Sequence, residues 1–161
     1  MPAIFQEPVT HKEQLFSDPI KVAAMRRGAN WFYWIAGLSA VNSLIFALGG
    51  KVSFIIGLCY TQIVDTFSDA AVASGGPTFL RALAMVFNIA IVGFFALVGY
   101  YANRSFKTAF TIGIAVYSID ALLWLLFGGY LEIAFHIYAL FFIIRGFLAC
   151  RELSRIPMKT I

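Results

Sequence analysis

The chain alternates long charge-free runs with short polar breaks. Gly28 to Gly50 carries no charge, and Trp31–Leu48 is apolar enough to predict a first transmembrane helix. Its opening, Trp31-Phe32-Tyr33-Trp34, follows Arg26-Arg27 as an interfacial aromatic belt would. A second apolar run, Val52 to Val64, has 13 residues, which is short for a span needing about 20. Extended to Ala73 it takes in Gln62, Asp65 and Asp69, spaced i, i+3, i+7 on one helical face. Ile56, Tyr60, Ile63 and Phe67 line the other side, so this segment is expected to be amphipathic. Ser74-Gly75-Gly76-Pro77 breaks it. A further span is expected over Ala82–Asn103, between Arg81 and Arg104. The next runs from Thr108 to Phe127 with a single charge, Asp120, and is closed by Gly128-Gly129. The last covers Leu131–Ala149, with Glu132 and Arg145 placed to snorkel near its ends.

Composition agrees with this pattern. Of 161 residues, 61% are hydrophobic and 12% charged, where a soluble domain has about 25% charged. Disorder, fibrous repeats and most soluble folds are excluded. The expected fold class is all-α: a polytopic transmembrane helical bundle. Residues 1–30 read as a cytoplasmic N-terminal tail, 31–150 as the bundle and 151–161 as a cytoplasmic C-terminal tail. The tail before Arg26-Arg27 is too long for the charged start of a signal peptide, so cleavage is not expected.

Basic residues choose the number of crossings. With five spans and the N-terminus inside, five Lys/Arg fall inside and seven outside. If residues 52–73 do not cross, ten fall inside and only Lys51 and Arg81 outside. The second count obeys the positive-inside rule. The expectation is four spans, both termini cytoplasmic, with one amphipathic or re-entrant helix on the outer side. Five spans is the alternative; a short echo between NSLIFALGG and IDALLWLLFGG would suit a duplicated hairpin.

Intramembrane polar residues are the functional pointers. Asn42, Asn88, Asp120 and His136 fall in one layer, about 7–13 Å below the outer surface at 1.5 Å per residue. An ionised Asp120 facing lipid would cost about 3 kcal/mol or more, so it should face the bundle. Tyr117 and Trp124 share its face. The plain reading is interhelical glue; the sharper one is a proton or solute site on Asp120 and His136. An outer acidic set, Asp65, Asp69 and Glu132, adds i, i+4 pairs: Asp65 with Asp69, and Glu132 with His136. Such spacing suits a divalent metal, yet it equally suits a solvated face and a helix end, and no metal is assigned.

Other chemistry finds little support. Cys59 and Cys150 lie far apart and read as buried free thiols. A single intraspan histidine, even with Met85, is a poor haem ligand set. No G-x-S-x-G, H-E-x-x-H or phosphate-loop motif occurs, and Ser39 reads as packing. Ala36/Ala40 and Ser39/Ser43 are spaced for close helix contact. The net charge of +4 is topological; no nucleic-acid motif accompanies it.

The stretches RRGANWFYWIAGLSAVNSL, FIIGLCYTQIVD, AFTIGIAVYSIDALLWLLF and IAFHIYALFFIIRG resemble a group of small, uncharacterised bacterial multi-span integral membrane proteins. The resemblance implies a bacterial inner-membrane location and carries no activity. The expected function is a non-enzymatic accessory or assembly component of the cell membrane, with lipid and a membrane-protein partner or a second copy as its contacts and no cofactor. A small proton-coupled transporter or channel built around Asp120 is the alternative. A membrane enzyme acting on lipid is third, with the outer acidic set and His136 as its candidates.

Overall fold

The structure, a computed structural model, describes residues 18–48 and 58–155. The Gly49-Gly50-Lys51 break, the start of the second apolar run and both chain ends lie outside the described residues. Those that are described form five helices and no strand: α1 Pro19–Ala47, α2 Cys59–Ala73, α3 Phe79–Asn103, α4 Lys107–Leu126 and α5 Tyr130–Leu153.

α1 begins well before the expected span, inside the stretch read as a tail. The cause is local. Asp18 is the N-cap, its carboxylate accepting from the N–H groups of Ile20 and Lys21 at 3.1 and 3.2 Å, and Pro19 opens the helix. Gly75 (φ +93°) stands in the break after α2, and Gly128 (φ +72°) ends α4. Both angles lie where a Cβ is penalised, which is why glycine occupies these two stops.

Contacts fix the helix directions. On α1 and α5, Gly28 meets Gly146 while Trp31 stacks on Phe142 and meets Phe135 edge-on. Later residues of one helix meet earlier residues of the other, so the pair is antiparallel. α1 and α3 pair likewise, through Asn30–Asn103 and Phe32–Phe95. So do α4 and α5, through Phe110–Phe147 and Tyr117–His136. α2 lies antiparallel to α3 through Asp65–Asn88 and Asp69–Arg81.

Two glycines let α1 and α5 approach closely. A Cβ added at Gly28 would lie 2.6 Å from the Gly146 Cα, and one at Gly146 would lie 2.7 Å from the Gly28 Cα. The expected small-residue pairs on α1, Ala36/Ala40 and Ser39/Ser43, are not where this contact falls. A second interlock is aromatic: the Phe32 ring occupies the space a side chain at Gly113 would need. Phe32, Phe95, Phe110 and Tyr117 are all buried around it.

Much of the outward surface is apolar. Phe67, Leu83, Val86, Leu97, Leu122, Leu125 and Ile137 are all exposed. A soluble protein seldom shows continuous apolar surface on this scale. Among the described residues α3, α4 and α5 are long and apolar enough to cross a membrane.

Candidate functional site

A helix that starts without a cap needs acceptors from elsewhere. α2 is such a helix: its N-cap, Leu58, has no side chain able to accept a hydrogen bond. Asp120 of α4 supplies the acceptors. The Cys59 N–H donates to its Oδ2 and the Tyr60 N–H to its Oδ1, each at 3.0 Å. The Tyr60 hydroxyl donates to the Val116 carbonyl, one turn earlier on α4, at 3.3 Å. The carboxyl oxygens thus face the positive end of the α2 dipole.

His136 completes the carboxylate's shell. Its Nε2 lies 2.9 Å from Asp120 Oδ2, and its Nδ1 lies 2.6 Å from the Glu132 carbonyl oxygen. A carbonyl has no proton to give, so Nδ1 is the donor. The Nε2 contact then needs a proton of its own, because a bare ring nitrogen would face a carboxylate lone pair to lone pair. One proton is held there, on nitrogen or on oxygen, and the pair is neutral overall in either form. Tyr117 stacks flat on the imidazole, ring centroids 4.4 Å apart, and fixes its plane. Asp120 and His136 are both 0% exposed.

The position of this cluster sets where α2 begins. Asp120 lies six residues before the end of α4 and His136 six after the start of α5. At 1.5 Å per residue, α2 starts about 9 Å inside that end of the bundle. It then runs back toward the start of α3.

A second cluster joins α2 to α3. Asn88 Nδ2 donates to Asp65 Oδ1 at 2.7 Å, and both residues are buried. The Ser68 hydroxyl donates to the Asp65 carbonyl. At the exposed end Arg81 Nε donates to Asp69 Oδ1 at 2.7 Å. Beside this cluster lies a cavity of about 660 Å³ between α1, α2 and α3.

The structure therefore sorts the singled-out residues differently from their order along the chain. Of the expected layer, Asp120 and His136 touch. Asn88 turns to Asp65 of the acidic set, and Asn42 is buried on α1. Asp69 pairs with Arg81. Glu132 offers His136 its backbone carbonyl. The polar stripe of α2 packs inward at Asp65, while Ile63 and Phe67 face outward. Among the described residues no three His, Cys, Asp or Glu side chains converge as a metal site would require. Cys59 and Cys150 are free and buried.

The main partners of Asp120 are backbone groups, which leave no mark in a side-chain pattern. The available signal was negative: a helix starting inside an apolar run with no Ser, Thr, Asp or Asn at its first position. No protein-family model, curated protein or solved structure matches the chain.

Proposed function

We propose that the chain is a multi-span protein of the bacterial inner membrane, non-enzymatic, serving as an accessory or assembly component. In this reading α1, α3, α4 and α5 cross, both termini are cytoplasmic, and α2 is a re-entrant helix opening to the outer side. One observation supports the role above all. The buried carboxyl group of Asp120 is occupied by two backbone N–H groups and an imidazole, which supports its anchoring a helix rather than waiting for a substrate. Support for the topology is the basic-residue count, together with an α2 that begins within the bundle and ends where α3 starts.

Affinity purification from native membrane in mild detergent tests the role. A stoichiometric membrane-protein partner, or a defined homo-oligomer, is the expected result. Recovery of a monomer with lipid alone would overturn it. Reporter fusions after Gly50, Pro77, Asn103, Gly129 and Ile161 test the topology; a C-terminal reporter active only outside would overturn it.

A second reading, a small proton-coupled transporter or channel, is favoured by the single proton held between Asp120 and His136 at the tip of a re-entrant helix. Proton-dependent solute flux in proteoliposomes that is lost in Asp120→Asn would establish it over the first.

A further inference from the structure

The cavity between α1, α2 and α3 contains a polar corner that nothing among the described residues completes. Asp65 is 8% exposed and borders the cavity. Its Oδ1 accepts from Asn88, while among the described residues its Oδ2 has no hydrogen-bond partner. Asn88 also borders the cavity, is 2% exposed, and its Oδ1 has no partner either. Ser43 Oγ, across on α1, is a third unpartnered oxygen. Buried polar atoms without partners, here Asn88 Oδ1 and Ser43 Oγ, are uncommon, and an amide oxygen of this kind calls for a donor.

Charge restricts the donor. Among the described residues of the wall the single basic one, Arg81, is already bonded to Asp69 at 2.7 Å. That leaves Asp65 uncompensated, and the corner favours a cation over an anion. The rest of the wall restricts it further. Leu44, Phe46, Met85, Ile89 and Val92 are apolar and offer no ligands to a hydrated metal ion. A volume of about 660 Å³ is that of a small-molecule site.

We infer that this cavity is a binding site for an amphiphilic primary amine, its ammonium group on Asp65 and Asn88 and its apolar chain against Leu44, Met85 and Ile89. An ammonium has three donors and no acceptor, which matches two oxygens without partners beside a carboxylate. Aminolipid headgroups and free alkylamines share this chemistry. The inference rests on the membrane reading for access of a lipid, but not on any partner or flux.

The full-length protein in phosphatidylcholine nanodiscs tests it, with octylamine, octanol and octanoate as probes and the thermal unfolding midpoint as readout. Octylamine should raise the midpoint saturably, while octanol and octanoate give little shift. Asp65→Asn should weaken octylamine binding at least tenfold, since Asn keeps a carbonyl oxygen for Asn88 but has no charge. Ala82→Trp, introduced on the exposed face of α3 beside the cavity, should block binding by occupancy even if Asp65→Asn fails to fold. Octanol stabilising as well as octylamine, or an octylamine effect undiminished in the folded variants, would overturn the assignment. So would the absence of any shift. Adding phosphatidylethanolamine to the nanodiscs separates the sources. Competition with octylamine identifies an aminolipid, and undisturbed octylamine binding identifies a free amine. Because binding is read without partner or flux, its failure is distinct from failure of the accessory role.

Discussion

The Asp120 carboxylate meets the His136 imidazole at 2.9 Å, Oδ2 to Nε2, with neither side chain exposed. The same two oxygens cap α2, so one residue of α4 ties together three helices. The consequences are mechanical before they are chemical.

Replacing Asp120 by Leu removes the acceptors of two backbone N–H groups and the partner of an imidazole. Each buried polar group left unpaired costs about 1–3 kcal/mol. Asp120→Leu is therefore expected to lose roughly 3–9 kcal/mol in denaturant unfolding in detergent, if the three terms add. Asp120→Asn keeps one acceptor oxygen and offers an amide donor to a neutral His136. It loses one N–H bond and should cost about 1–3 kcal/mol. Equal losses in the two variants would show that the cap contributes little.

The α1–α5 contact gives a steric prediction. Gly28→Ala or Gly146→Ala places a methyl carbon within 2.7 Å of the facing backbone Cα, which no rotamer change relieves. Overpacking of this kind costs about 1–3 kcal/mol. The two substitutions share one contact, so the double variant should cost less than their sum. Once the helices have moved apart for the first methyl, the second meets less resistance. Fully additive losses would place the cost outside this contact.

Much of this fold is legible in charge-free runs. Arg81, Arg104 and Gly128-Gly129 bracket α3 and α4 closely, because a span ends where lipid does. The start of α1 is less visible. Asp18-Pro19 is a helix opening, but it lies in polar sequence where hydropathy is silent. The need to bury Asp120 also follows from its charge. Its partners do not, since main-chain N–H groups are everywhere and only the fold selects Cys59 and Tyr60. The Asp65–Asn88 bond is hidden for another reason: an amphipathic stripe has the same spacing whether its polar face meets water or a neighbouring helix.

An ion pair at the opposite end of the bundle should respond to pH and salt. Lys21 Nζ lies 3.1 Å from a Glu152 carboxylate oxygen, linking the start of α1 to the end of α5. The hydrogen bond and charge of Glu152 raise the Lys21 pKa above its ordinary 10.5. A raised folded value stabilises the native state below the unfolded pKa, and this contribution is lost as pH rises through the folded one. The stability difference between the native protein and Lys21→Met should thus be constant from neutrality to about pH 10 and shrink above it. It should also shrink in 1 M salt, since both side chains are well exposed. A difference that stays constant into alkaline pH and high salt would assign the effect to packing of the lysine stem.

The seating of α2 can be read chemically through its first residue. Cys59 is 1% exposed and its N–H is held by Asp120, whereas Ser74, just past the other end of α2, is exposed. In a Cys150→Ala background, Cys59 should resist an impermeant maleimide applied to intact cells. A Ser74→Cys site, with Cys59 replaced by Ala, should label from the outer side. Combining Asp120→Leu with the native Cys59 removes the cap while leaving the thiol in place. If Asp120 holds the helix tip inside the bundle, the loss of two N–H bonds should raise the rate of Cys59 modification about 10–100-fold, the range that roughly 1.4–2.7 kcal/mol of local opening free energy corresponds to. Asp120→Asn should give a smaller increase, following the one acceptor it retains. A Cys59 that labels as fast in the native protein as in Asp120→Leu would mean that the tip is open already, and the carboxylate would then have no part in seating it.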